Sequence, residues 1–187
     1  MIPTVLVVDF GAQYAQLIAR RVRQAHVFSE IIPSTTPIEK ILAAKPRAII
    51  LSGGPSSVYA EGAPTLDSEI FNAGIPIFGI CYGFQVMAQA LGGVVAKTGK
   101  SEFGRTKLNH SNNSTLLNNL SLEFNVWMSH GDSVSQTPDG FIATSSTEET
   151  AIVSFENSDG LFAGVQFHPE SIMTPFGDQL IRNWVYS

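Results

Sequence analysis

Three short runs, TVLVVD (4–9), AIILS (48–52) and IPIFGI (75–80), are apolar at almost every position, and this constrains the fold more than any other feature of the chain. A strand with one wet face alternates polar and apolar side chains. A strand without that alternation buries both faces, which is the condition of a parallel sheet held between two layers of helix. The stretch after the first run supplies such a helix: Tyr14, Leu17, Ile18 and Val22 recur at helical spacing, from a start expected just after Gly11. Thr36 followed by Pro37 reads as the N-cap and first position of another, and Gly74 and Gly92 stand where helix-ending glycines belong. The predicted class is α/β, an open, mostly parallel or mixed sheet with helices on both faces.

The second half changes character. VVAKT, RTKLNH, EFNVWMS, FIATS, TAIVSFE and LFAGVQF are strand-like runs separated by polar turns, which predicts a mixed extension of the sheet. From about Pro175 the segment PFGDQLIRNWVY predicts a closing helix with Leu180, Ile181 and Trp184 inward. No repeat, low-complexity tract or long linker divides the 187 residues, so one domain over 1–187 is expected.

Composition excludes several classes of function. Charged residues are only 14% and the formal charge is -5, so there is no basic footprint for nucleic acid. No apolar run approaches the about 20 residues that span a bilayer, and the N-terminal residues lack a basic region followed by a cleavage site. A cytoplasmic protein with no membrane partner is expected. The single cysteine allows no internal disulfide, and no C-x-x-C or H-x-x-x-H spacing is present, so no metal is expected.

That cysteine, Cys81, lies in GICYGFQ (79–85). A lone cysteine is usually a small buried hydrophobe. Here Gly79 and Gly83 flank it two residues away on each side, after a predicted strand and before the helical run YGFQVMAQAL. G-x-C-x-G is the cysteine form of the nucleophile elbow, a strand-to-helix turn too tight for side chains at the flanking positions. At the start of a helix, free N–H groups and the helix dipole favour a thiolate, and the N–H of Tyr82 faces a developing oxyanion. SGGP (52–55), at the end of the preceding predicted strand, offers the Gly54 N–H as a second donor. SGGPSS also has the look of a pyrophosphate loop, but it lacks the Asp of S-G-G-x-D-S and the Lys of a Walker loop.

A thiol nucleophile needs a base, and two of the four histidines have an acid two residues on: His168 with Glu170 and His130 with Asp132. Local sequence does not choose between them. His26 and His110 read as structural or solvent-exposed. With Glu170 as the acid, the order nucleophile, histidine, acid departs from that of the α/β-hydrolases.

These motifs resemble the class I, triad-type glutamine amidotransferases, of flavodoxin-like architecture. The elbow and the HPE of GVQFHPES (164–171) carry the class, while DFGAQYAQLIARRVR, EFGR and WMSHGD are similar to the amidotransferase domain of GMP synthases. The resemblance covers nearly the whole chain. It implies that Cys81 attacks the side-chain amide of glutamine, His168 moves the proton, Glu170 orients His168, and Gly54 and Tyr82 supply oxyanion N–H groups. It further implies that Gln85, Ser129 and Asp132 hold the ends of glutamine, with His130 as a binding or structural neighbour. The partner it implies is a GMP synthetase (ATP pyrophosphatase) domain or subunit, absent from this chain, which carries ATP and Mg²⁺ and aminates xanthosine monophosphate; no cofactor is expected here. The chain then reads as a separate glutaminase subunit or, favoured by the wording of its first motif, the N-terminal domain of a two-domain enzyme. After HPE the family carries Val, one residue, then His-Thr, where this chain has SIMT with Ser171 and Met173. Against this stand an amidotransferase for another acceptor, a cysteine hydrolase of related fold, and a binding domain with an inert Cys81.

Overall fold

The three apolar runs lie side by side in one sheet. A computed structural model describes residues 4–187. In chain order the elements are β1 (Thr4–Asp9), α1 (Ala15–Gln24), β2 (Phe28–Pro33), α2 (Ile38–Ala43), β3 (Ala48–Leu51), a 3-10 turn (Ser68–Asn72), β4 (Ile77–Ile80), α3 (Tyr82–Ala90), β5 (Val94–Ala96), β6 (Glu102–His110), β7 (Glu123–His130), β8 (Ser133–Gln136), β9 (Phe141–Ser146), β10 (Ser154–Asn157), β11 (Phe162–Val165) and α4 (Gly177–Val185). Nine strands form a sheet of order β2-β1-β3-β4-β11-β10-β9-β6-β7, and β5 and β8 form a separate pair. The β2-β1-β3-β4-β11 half is parallel and the rest antiparallel.

The lack of alternation in β1 has the cause expected for it. Val5 and Val7 point into one apolar cluster with Ile18 and Val22 of α1 and Leu180 and Trp184 of α4. Leu6 and Val8 point into a second, with Phe84 and Met87 of α3. Both faces are dry, so both registers of the strand are apolar. Leu180, Ile181 and Trp184 of the closing helix are buried as expected. Gly74 and Gly92 both have positive φ, 67° and 93°, directly after the 3-10 turn and α3.

Several boundaries differ from the sequence reading. α1 starts at Ala15 because Gly11 has φ 94° and gives its N–H to Asp9 Oδ1 at 2.7 Å, which spends the first residues on a turn. Its buried face is Ala15, Ile18, Ala19 and Val22, and Tyr14 is left 40% exposed. α2 has Pro37 as its N-cap, while the Thr36 hydroxyl donates to Pro33 O at 2.7 Å. β2 and β8 carry too little apolar character to stand out: β2 is an edge strand, and its buried Ser29 donates its hydroxyl to Ala19 O. Of TAIVSFE only the end is strand. Among the described residues no helix is long and apolar enough to cross a membrane.

α3 sits close against β3 and β4, and the closest approach is at Gly83. A Cβ there would overlap the carbonyl oxygen and Cβ of Leu51. Gly83→Ala is therefore expected to cost about 3 kcal/mol, roughly 6–12 °C in Tm for a chain of this size. Gly131→Ala, with nothing nearer than Ser101 Oγ at 3.8 Å, is the control and should melt like the wild type. Equal melting of both variants in a thermal scan would refute this account of the α3 packing.

Candidate active site

β4 delivers Cys81 to a turn that bonds hold from three sides. The Cys81 N–H donates to Val165 O at 2.9 Å, the Gly83 N–H to Ser52 O at 3.0 Å and the Gln85 N–H to Cys81 O at 3.2 Å. Cys81 itself sits at φ 53°, ψ -104°, a strained backbone for a residue with a side chain, and it caps α3. A Cβ on Gly79 would come within 2.8 Å of the Phe84 N, so the turn closes only with glycine there. The N–H groups of Tyr82, first in α3, and of Gly54 donate to no group among the described residues. The Tyr82 ring lies where a Cβ of Gly54 would be, and its hydroxyl donates to Pro64 O at 2.5 Å. Burial pushes the Tyr82 phenol up, which keeps it a neutral donor. No helix follows Gly54, so the SGGPSS loop lacks the helix N-terminus on which phosphate loops rely.

β11 lies beside β4, and its continuation carries His168 to the same spot. His168 Nδ1 and Glu170 Oε1 are 2.7 Å apart and both residues are buried, 3% and 0% exposed. A carboxylate only accepts, so Nδ1 bears a proton and the other ring nitrogen is left without a hydrogen bond among the described residues; the ring and Cys81 both flank Gly53, where a Cβ would lie 3.4 Å from His168 Cε1 and 4.0 Å from Cys81 Cβ. Burial works against protonation of this imidazole. The nearby Cys81 and the hydrogen-bonded Glu170, with their negative charges, outweigh it, and His168 is pushed up to about 11. Its backbone is clamped: the His168 N–H donates to Trp127 O at 3.0 Å, and the Thr174 hydroxyl donates to His168 O at 2.8 Å while accepting from the Trp127 N–H. Arg21 Nε donates to Glu170 O at 3.1 Å, and the Tyr14 ring covers His168 at 4.9 Å. Glu170 Oε2 is buried without a partner among the described residues. Within SIMT, Thr174 is part of this clamp, whereas Ile172 and Met173 are 84% and 40% exposed.

The end of β7 and the turn after it stand across the cleft. Ser129 is exposed and its carbonyl is 3.6 Å from Cys81 Sγ. The second histidine with an acid at the same spacing is engaged elsewhere: His130 Nε2 is 2.8 Å from Glu102 Oε2 and Nδ1 is 2.9 Å from Asp132 O. The Asp132 carboxylate accepts instead from the Ser57 hydroxyl. Glu102 also accepts from Thr147 and Thr150. Burial raises its carboxyl, but these two hydroxyls and His130 hold it below the usual range. Gln85 Nε2 donates to Asp132 O and to Gln166 Oε1, both at 2.9 Å, so only its oxygen is left for a ligand. Of the other histidines, His110 bonds Ser111 O and Ser121 O, and His26 is exposed.

Gly54, Cys81, Tyr82, Gln85, Ser129 and Asp132 thus line one cleft of about 400 Å³, within the range of small-molecule sites. Two larger hollows, of about 700 and 660 Å³, lie beyond β1 and β2 and at the opposite end of β1 and β4, and neither is lined by Cys81. Chemistry, not volume, selects the smaller one. Among the described residues no group of three or more His, Cys, Asp and Glu could hold a metal ion. The sequence reading missed Gln166, Glu102 and Ser57. Gln166 carried a signal, a polar side chain in the otherwise apolar run LFAGVQF.

A nucleophile elbow, a histidine on a buried carboxylate and two free N–H groups around one sulfur can perform acyl transfer. Known proteins share the arrangement of the chain. It is 58% identical over 183 residues to the glutamine-hydrolyzing GMP synthase of Thermobifida fusca and 59% identical over 184 residues to that of Streptomyces avermitilis. Each match covers 98% of this chain but only 35% of the relative, so the chain spans about a third of their length. Among solved structures, a Thermoplasma acidophilum protein provisionally described as one subunit of a GMP synthase superposes with TM-score 0.90 at 28% identity, over 100% of this chain and 94% of that one. A Thermotoga maritima glutamine amidotransferase superposes with TM-score 0.77 at 18% identity, over 99% and 97%, which shows the shared fold. The family model for class-I glutamine amidotransferases matches residues 6–187, and the chain belongs to that family.

Proposed function

We propose that this chain is the glutaminase part of a GMP synthase: it hydrolyses glutamine to glutamate and ammonia, and a synthetase part uses the ammonia to aminate xanthosine monophosphate with ATP and Mg²⁺. The observation that carries the reading is that Cys81, on its strained elbow, and the His168 ring flank the same Gly53, with His168 Nδ1 fixed by the buried Glu170 carboxylate at 2.7 Å. The acceptor rests on the relatives, which are glutamine-hydrolyzing GMP synthases. We place the reaction in the cytoplasm and the ATP and metal sites on the synthetase part, as one domain of a larger assembly.

The chemistry follows from the protonation state. Cys81 attacks as thiolate at the amide carbon of glutamine, and the Tyr82 and Gly54 N–H groups receive the negative charge on its oxygen. As the tetrahedral intermediate collapses, His168 Nε2 gives its proton to the leaving nitrogen, and ammonia departs from a γ-glutamyl thioester. The now neutral His168 takes a proton from water, whose oxygen attacks the thioester. Glutamate leaves and the thiolate with its imidazolium is restored. Glu170 accepts from Nδ1 and holds the orientation of the ring. The Asp132 carboxylate and the Gln85 oxygen are the acceptors available for the ammonium group of glutamine, Asp132 exchanging its Ser57 partner for the ligand.

An electrophilic glutamine analogue should leave a single adduct on Cys81 by intact mass, and excess glutamine should protect against it. In the full-length enzyme Cys81→Ala should lower glutamine-dependent GMP formation by at least about 10⁴-fold while ammonia-dependent formation persists. Loss of both activities, or an unmodified Cys81, contradicts the proposal; glutamine protection with a different amination product would reassign only the acceptor.

The protonation state is separately testable by NMR of the His168 ring. It should stay protonated between about pH 6 and pH 9, past the ordinary histidine range near 6.5. Removing both partners, in Cys81→Ala with Glu170→Gln, leaves burial alone and should bring the transition below that range. Because the folded chain holds this proton after the unfolded chain has lost it, the associated stability is whole below about pH 6.5 and drains away toward about pH 11. A wild-type transition near 6.5 would rule out the imidazolium.

A further inference from the structure

The hydrogen bonds around Cys81 include one that the mechanism above does not use. Gln166 is fully buried, and its Nε2 lies 3.7 Å from Cys81 Sγ. The direction of this carboxamide is not free. Asp132 O is a backbone carbonyl and can only accept, so the group of Gln85 facing it is the nitrogen. That same nitrogen is 2.9 Å from one end of the Gln166 carboxamide, which must then be oxygen. The end facing the sulfur is accordingly the NH₂. A fixed backbone acceptor thus sets two side-chain amides in sequence, and the second delivers an N–H to the nucleophile. Gln166 is also held by its main chain, whose N–H donates to Val153 O at 2.7 Å.

We infer that Gln166 is a further catalytic residue of this site, donating an N–H to the Cys81 sulfur and favouring the thiolate both before attack and as it leaves the thioester. The inference rests on Cys81 being the nucleophile. An N–H bond to sulfur is strong when the sulfur is an anion and weak when it is thiol or thioester, so it acts on the two states that bracket the intermediate. His168 contributes its charge to the same sulfur but has to give its proton away. Gln166 does not, so the sulfur keeps a donor while the histidine is neutral. The same linkage ties the nucleophile to the 129–132 turn, and a ligand that moves Asp132 moves the acceptor on which the Gln166 orientation depends.

The test uses the single cysteine of this chain: rates of alkylation by iodoacetamide across a pH series, with and without glutamine. Gln166→Glu keeps an oxygen for Gln85 and replaces the donor with an acceptor. It should slow alkylation near pH 7 by about tenfold or more and move the pH profile upward, while the plateau at high pH matches the wild type. Gln166→Met, neutral and similar in size, should move the profile the same way by less, and it decides the matter if the charged variant does not fold. A role in packing alone would change the plateau through access and leave the profile in place. Unmoved profiles in the folded variants overturn the inference. Wild-type alkylation that glutamine does not slow overturns instead the reading of Cys81 as the glutamine nucleophile, so the two failures are told apart.

Discussion

The Cys81 N–H bonds to the end of β11 and the Gly83 N–H to Ser52 after β3, so one turn at the end of β4 ties three adjacent parallel strands together. Much of the site is positioned from this knot. The loop with Gly54 leaves from one side of it, the segment with Gln166, His168 and Glu170 from the other, and α3 begins in the middle. Because the turn is closed by glycines at 79 and 83, α3 approaches the sheet closely, and its first N–H, that of Tyr82, is left without an acceptor among the described residues. Strain at Cys81 is the cost of that position, and the surrounding backbone bonds hold it there.

Two buried histidine–carboxylate pairs stand within this region, and their surroundings give them different capacities. His168 has Glu170 on one nitrogen and leaves the other without a hydrogen bond among the described residues, in a ring that flanks Gly53 together with Cys81. His130 has Glu102 on one nitrogen and the Asp132 carbonyl on the other, so both edges are engaged by groups that do no chemistry. Its pairing instead holds the end of β7 and the turn after it against β6, and Thr147 and Thr150 also donate to Glu102. The same pair of residue types leaves one ring nitrogen open beside Cys81 in one place and is a structural tie in the other.

How much was legible in the sequence follows from the range of the forces involved. The apolar runs of β1, β3 and β4 announce two-sided burial because hydrophobic patterning is a local record of environment. The Gly-x-Cys-x-Gly spacing announces the elbow because crowding at Gly79 comes from within a few positions, from Gly83 and Phe84, whereas Gly83 is crowded by Leu51 of β3. β2 was invisible because an edge strand needs less apolar surface, and the start of α1 was misplaced because one carboxylate, Asp9, claims the Gly11 N–H.

The sequence by itself determined the class of sheet, the turn at Cys81, the glycines that permit it and the set of polar residues available around it. Only the tertiary structure decided their partners. His168 and His130 have the same local pattern, and what separates them is that β11 pairs with β4 in parallel and carries His168 to Cys81, whereas Glu102, on the strand paired with β7, takes His130. Gln166 and Gln85 come together for the same reason, across strands and a helix far apart in the chain. Hydrogen bonds act over about 3 Å and are indifferent to sequence separation, so which donors and acceptors meet is settled by strand order and not by local pattern.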